Sequence, residues 1–436
     1  MHRLRLVSTA AAVAVLSFGV VACGDDEDEG SSGGSGEDVS SAEFDLNVGV
    51  LVPQTGDLSA FGPAGEKAAN LAVEQTTAAL EEAGADGITI EASVEDSQTE
   101  PAAAQSAATK LISGGSSCLI GPWSSGETVP VGRSVAAREQ TPLISPSATS
   151  PEITELPDDG YVFRTAPSDA LQGQVLADAM EQEAGTDAVV SVAARNDAYG
   201  EGIATEFTAA WEEKGGTVSS NSPVLYDVEL SSYNSEAESI VADSPDAYVI
   251  IDFEEPYNEM GAALARTGDF DATTMFTADG LAFEDGIPDS IAADSLYGAN
   301  GTRPATPESD IGEEFDGLFT DAEPADVKRN SFDSQNFDAV TLCALAAVAS
   351  GSTEGPDIAE QIQAVGSAPG DKYDFTTMAD AITALQAGED IDFEGVSGNL
   401  DLDDNGDPLL GTYDIYAYDD KGAFSVTDQV EKEAAE

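Results

Sequence analysis

Residues 115–152 read GSSCLIGPWSSGETVPVGRSVAAREQTPLISPSATSPE, and the architecture of the chain follows from this stretch. Cys118–Gly121 is a short apolar run of the kind that fills a buried strand. Ser124 and Ser125 follow it, and Ser124-x-x-Glu127 has the spacing of a capping box at a helix start. Leu143–Ser145 repeats the apolar run. Ser147, Thr149 and Ser150 come next, and Pro151 suits a first helical turn. The order is strand, polar loop, helix, strand, polar loop. Two strand ends thus bring hydroxyls and unpaired backbone N–H groups to one side of a sheet. Such loops either cap two helices and do nothing more, or also hold an anion such as a carboxylate without a cationic side chain.

Toward the N-terminus the same alternation continues. Val48–Val52 is strand-like, Pro63–Ala83 helical, and Ile88–Val94 a strand of period two. Ala104, Ala107, Ala108 and Leu111 fall on one face of a helix. A βαβα order implies a parallel sheet covered by helices. Toward the C-terminus, Tyr161–Pro167 interrupts the pattern and reads as a crossing strand. A second run then begins, with a helix over 169–184 and a strand over 188–193. Ile203, Phe207, Ala210 and Trp211 mark one helical face. Further strands fall at 218–226, 247–253 and 273–277, with helices near 232–242 and 256–266. The expected fold class is α/β, with two doubly wound Rossmann-like lobes and a cleft at the carboxyl ends of the strands. The chain crosses again after 297–302, and Phe332–Ser350 forms a strongly apolar helix. In DLDDNGD, Asp401, Asp403, Asn405 and Gly406 match the first half of a calcium loop, but Thr412 stands where that loop needs Glu. Asn405-Gly406 is also a hairpin turn, which is the preferred reading.

Composition removes several function classes. Lys and Arg number 16 and Asp and Glu 83 among 436 residues, a net charge of −67. Nucleic acid and anionic membrane surfaces are poor partners for such a chain. An acidic coat of this size suits solubility in high salt. Arg3 and Arg5 precede an apolar run over 6–21, a signal-peptide pattern too short for a comfortable membrane span. It ends in Val20-Val21-Ala22-Cys23, which resembles a bacterial lipobox and implies lipidation of Cys23; an ordinary signal peptide with an incidental Cys is the alternative. Removing residues 1–22 removes His2, the single histidine. A Ser-His-Asp triad or a His-ligated zinc site is then impossible. Cys118 and Cys343 form either one disulfide or two buried small apolar side chains. Residues 24–43 are acidic and Gly/Ser-rich and read as a disordered tether.

Several segments together resemble type I periplasmic binding proteins, specifically the leucine/isoleucine/valine-binding branch that serves ABC importers. They are NVGVLVPQTGDLSAFG, VEDSQTEPAAAQSAATKLI, CLIGPWSSGET, TPLISPSATSPEIT, YVFRTAPSDALQGQVLA, NDAYGEGIATEF, IIDFEEPYNEMGAALARTG and FTADG, in family order. The resemblance implies two lobes joined by three hinge crossings. The expected division is 1–22 signal peptide, 23–43 tether, 44–165 plus 303–400 first lobe, and 166–302 plus 401–430 second lobe. It also implies roles. Ser125, beside Ser124, and the loop residues Ala148 and Thr149 would hold a ligand carboxylate. Phe61 would cover the ligand, Tyr199 would close over it, and Asp279 would pair with its ammonium group, where the family more often has Glu. Trp123 would wall the pocket or be a core residue. Glu254 and Glu255 stand where small residues and aromatics are common, with Tyr257 a candidate for the missing ring and Glu254 near the cleft suited to a ligand with an extra amine or amide.

The reading is a membrane-tethered solute-binding lipoprotein, not an enzyme. It would capture an amino acid or amide in the cleft and hand it to ABC permease subunits, as a monomer with no cofactor or metal. One alternative is a ligand-sensing module of the same fold for amides or urea. A carboxylate-based hydrolase is weaker, because chance acid pairs are expected in so acidic a chain.

Overall fold

The computed structural model describes residues 42–434. The expected signal peptide, Cys23 and nearly all of the tether lie outside the described residues. The first sheet contains β1 (Phe44–Val52), β2 (Ile88–Asp96), β3 (Cys118–Ile120), β4 (Leu143–Ser145) and β5 (Val162–Arg164) in the order β2-β1-β3-β4-β5. Every pairing in it is parallel. The apolar runs of β3 and β4 are wholly buried, as strands covered on both faces must be. Val162–Arg164, inside the expected crossing strand, pairs with β4 as the fifth strand of this sheet, and the crossing itself is residues 165–168.

The second sheet comprises β6 (Val189–Arg195), β7 (Thr217–Val218), β8 (Val224–Tyr226), β9 (Ala247–Ile251), β10 (Met275–Thr277) and β11 (Asn300–Pro304). A two-stranded sheet of β12 (Asp371–Tyr373) and β13 (Ile391–Phe393) stands apart from it. β14 (Leu410–Tyr418) and β15 (Phe424–Glu433) complete the second sheet as antiparallel strands beyond β11, giving the order β15-β14-β11-β10-β9-β6-β7 with β8 also on β6. β11 runs to Pro304, so Arg303 and Pro304 belong to the second lobe rather than to the first as expected. Conversely, residues 401–408 stay with the first lobe, because Arg164 N donates to Gly406 O and the Arg164 side chain grips Asp407.

Between the second and third crossings the chain returns to the first lobe. Residues 333–348 of the helix Asp333–Ser350 are all buried, and the helix packs against Gly62–Glu82 and against β1, β3 and β4. Cys343 on this helix is joined to Cys118 of β3, closing the choice between disulfide and free thiols. The lobes are shut on one another. Gly202 of the second lobe approaches Pro151 of the first so closely that a Cβ there would sit 2.9 Å from the proline ring.

The DLDDNGD stretch forms the turn. Asp403 accepts from the N–H groups of Asn405 and Asp407 at 2.8 and 3.0 Å, and Leu402 pairs with Pro408. Asp407 is spent on Arg164, at 2.6 Å through Nε and again through Nη2. Arg164 also donates to Ala148 O, Ser150 O and Thr154 Oγ1, so one buried guanidinium fixes the second polar loop and the approach to the third crossing.

Candidate functional site

The sequence Ser124-x-x-Glu127 forms its capping box. Glu127 N donates to Ser124 Oγ at 3.3 Å, and Glu127 Oε2 accepts from Ser124 N and Oγ at 3.2 and 2.8 Å. The helix it starts, Ser125–Val131, runs on through a π-helical turn at Gly132–Ala136, just after Pro130, which removes a backbone donor from the helix interior. The N–H groups of Ser125 and Gly126, ahead of Glu127, have no intrahelical partner. Ser125 Oγ accepts from Ser150 N at 3.1 Å, and Ser147 Oγ donates to Trp123 O at 2.7 Å, so the two polar loops brace each other.

These loops form one wall of a small cavity between the lobes, about 20 Å³ in volume, lined by buried residues. Leu58, Phe61, Trp123, Ser124, Ser125, Ser147 and Phe332 line it from the first lobe, and Tyr199, Phe253, Asp279 and Gly280 from the second. All are buried. Trp123 lies against Gly65, where any Cβ would come within 2.3 Å of the indole. Its Nε1 has no partner, so Trp123 is both a wall and a packed core ring. Phe332 holds a left-handed backbone (φ 68°) at the start of the buried helix, a costly conformation for a bulky residue and one typical of functional sites.

Opposite the hydroxyls stands Asp279. Its Oδ1 accepts from Gln172 Nε2 at 3.0 Å and from Tyr199 OH at 3.2 Å. Burial pushes its carboxyl up to about 6, against the pull of those hydrogen bonds. Asp169 is buried nearby. Burial first, and then the Asp279 charge, hold it well above the usual carboxylate range, and its Oδ1 is unpartnered. Burial also lifts Glu127 to about 7. Among the described residues, no Lys or Arg lines the cavity.

Of the residues singled out from the sequence, Phe61, Trp123, Ser124, Ser125, Tyr199 and Asp279 meet around this cavity. The others do not line it. Ala148 is buried, with its N–H given to Ser145 Oγ and its carbonyl to Arg164. The Thr149 hydroxyl donates to Asp169 at 3.0 Å, and Ser147 lines the cavity from that loop instead. Tyr257 lies one turn into its helix, packed in the second-lobe core with its hydroxyl on Ser295 O at 2.6 Å. Glu254 is at the surface, accepting from Ser290. The ring expected of Tyr257 comes from Phe253, stacked on Tyr199 with centroids 5.0 Å apart. Phe253 ends the apolar run 247–253, a position at which the strand-end rule already points to a cleft. A wider groove along residues 303–335 is open, and its guanidiniums are already paired, Arg303 with Glu284 and Asp414, Arg329 with Asp333 and Asp316.

Comparison with known proteins bears on the family and the fold. A family model described as periplasmic binding protein matches residues 45–402. The Leu/Ile/Val-binding protein homolog 1 of Brucella abortus is 27% identical over 390 residues, 88% of this chain and 92% of that one. A local match to homolog 3 of Brucella melitensis is 33% identical over 40% of this chain and 46% of that one. The chemotactic signal transduction system substrate-binding protein of Halobacterium salinarum is 26% identical, covering 84% of this chain and 85% of that one. Among solved structures, a leucine-binding protein from Thermotoga maritima superposes with a TM-score of 0.70 at 20% identity, covering 88% of this chain and 98% of that one. A branched-chain amino acid transporter substrate-binding protein from Streptococcus pneumoniae, in complex with isoleucine, gives 0.68 at 20% identity, covering 90% and 100%.

Proposed function

Because this chain belongs to the periplasmic binding protein family, whose members are extracytoplasmic solute-binding proteins rather than enzymes, we propose that it captures an α-amino acid with an apolar side chain and delivers it to an ABC permease. The observation that carries this reading is Asp279, a buried carboxylate in a cavity without a cationic side chain. A ligand ammonium group is the natural partner of such a group. The Ser125 hydroxyl, which accepts from Ser150 N and keeps its own proton to donate, and the adjacent helix start suit a carboxylate on the opposite side. The rings of Phe61, Trp123, Phe253 and Phe332, with Leu58, leave only an apolar berth between the two poles. Closure excludes water and strengthens both polar contacts. Anchoring through Cys23 belongs to the same proposal, and among the described residues no helix is long and apolar enough to cross a membrane.

Calorimetric titration with L-leucine, L-isoleucine, L-valine, L-phenylalanine, urea, acetamide and 4-hydroxybenzoate tests this. An aliphatic amino acid is expected to bind, and 4-hydroxybenzoate, lacking the ammonium, is expected not to. Comparable binding of the benzoate, or none by any amino acid, overturns the reading. The match to a chemotactic substrate-binding protein over 383 residues favours a second use of the same closure, presentation to a membrane receptor. Loss of amino-acid uptake in a deletion strain supports delivery, whereas loss of taxis with uptake intact supports the receptor.

A further inference from the structure

Outside the cavity, the buried cation Arg195 touches both lobes. Arg195 ends β6 in the second lobe, and its side chain is only 5% exposed. Its Nε donates to Asp197 of the same lobe at 2.6 Å, and its Nη2 reaches Asp57 of the first lobe at 3.3 Å. Its guanidinium carbon lies 3.8 Å from the centroid of Phe253. Phe253 in turn stacks on Tyr199, and Tyr199 donates to Asp279. An unbroken chain of contacts therefore runs from the Asp57 loop at the rim to the acid in the cavity. Asp57 follows β1 in the loop that also brings Leu58 and Phe61 to the cavity. The remaining nitrogen, Nη1, has no hydrogen-bond partner, and the nearest carboxylate, Asp252, is 3.9 Å away. A guanidinium suits this place because one face can lie on a ring while its edge donates in two directions.

We propose that Arg195 is a positioning residue for ligand capture: it sets the Phe253–Tyr199 pair that walls the cavity and ties that wall to the first lobe through Asp57. The proposal rests on the binding reading above, yet its mechanical half is separable. Opening the lobes must break the contact to Asp57 and spares the one to Asp197. Arg195 then keeps its ring but loses its hold across the cleft, and the ring pair loses its anchor to the first lobe.

The test measures closure without a ligand. Lys328 of the first lobe and Asp285 of the second face each other across the rim at 2.6 Å, both well exposed. Cysteines in their place (Lys328→Cys with Asp285→Cys, in a Cys23→Ser background) can be joined by a short bis-maleimide at a rate that follows the closed population. Asp57→Asn and Arg195→Met are each expected to slow cross-linking about fivefold to tenfold, the scale of a typical coupling between sites. Asp197→Asn, which removes the same-lobe partner, is expected to stay within about twofold of the parent. Arg195→Lys, which keeps the charge, should recover part of the rate. If Asp57→Asn cross-links at the parental rate, or Asp197→Asn slows it as much, the proposal is wrong. If Arg195→Met fails to fold, the partly exposed Asp57 decides alone. Calorimetry of the same variants with L-leucine, in proteins without the cross-link, should show weaker binding for Asp57→Asn. Were no amino acid to bind even the unaltered protein, the functional reading would fall while the cross-linking rates still decided the clasp.

Discussion

The two walls of the cavity hold their polar groups in opposite states. The first-lobe wall closes the hydrogen bonds of its hydroxyls on itself. Ser124 bonds Glu127, Ser125 takes Ser150 N, and Ser147 bonds Trp123 O. The second-lobe wall holds Asp279 out of water, with two neutral donors and no cation. The hydroxyls of one wall are finished, each bonded within its own lobe. The other is kept in a state that a cationic group relieves. Burying an unpaired charge costs several kcal/mol, so binding energy should concentrate where that cost is recovered. The hydroxyl wall should contribute orientation and a smaller share of affinity.

The sharpest way to break this contrast is Asp279→Asn. It keeps the shape of the side chain and removes the charge. Affinity for L-leucine is expected to fall by about 10²- to 10³-fold, the usual scale for unpairing a desolvated charge. The ligand-free protein should become more stable at the same time. The folded carboxyl titrates near 6, above its unfolded value. An acid raised in this way stabilises the fold fully only below the unfolded value, and that contribution is lost as pH rises to about 6 and beyond. The amide escapes the loss, by roughly 2–3 kcal/mol at pH 8. Urea denaturation at pH 8 checks this, and a midpoint no higher than that of the unaltered protein would show that Asp279 is not held at a cost.

Ser125→Ala probes the finished wall. It removes one donor to the ligand carboxylate and one acceptor for Ser150 N. A hydrogen bond to a charged group contributes about 1.5–3 kcal/mol, so a weakening of roughly tenfold to a hundredfold is expected, smaller than for Asp279→Asn. Calorimetry on both variants ranks the walls, and a larger loss at Ser125 would reverse the contrast.

The same asymmetry explains what could be read from the chain alone. The hydroxyl wall rests on spacings of three or four residues, and Ser124-x-x-Glu127 announces its own geometry. The acid wall rests on contacts between residues 80 and more than 100 positions apart, Tyr199 and Gln172 with Asp279, which no local pattern encodes. In DFEEPYNEM the strand end and the first helical turn are adjacent, and a shift of one turn exchanges Phe253 for Tyr257. The family resemblance supplied Asp279 and Tyr199 but not that register. In the fold, the buried apolar strands were legible by composition. β15, FSVTDQVEKE, was not, because it is an exposed edge strand whose charges resist further pairing and hide its period.

Acidification separates the walls most finely. Lowering pH from 8 first protonates Glu127, which titrates near 7 behind Ser124. That removes a negative charge close to the expected ligand carboxylate and should tighten binding slightly, by less than about threefold. Below 6, Asp279 takes up its proton and the ammonium loses its partner, so affinity should fall by close to a decade per pH unit. At pH 5 the net result is a dissociation constant about tenfold weaker than at pH 8. The two limbs move in opposite directions because protonation relieves repulsion at one wall and deletes attraction at the other. In Asp279→Asn only the first limb should survive, with binding weak throughout but improving from pH 8 to 6. A falling limb below pH 6 that persists in that variant would show that Asp279 is not the acid-sensitive group.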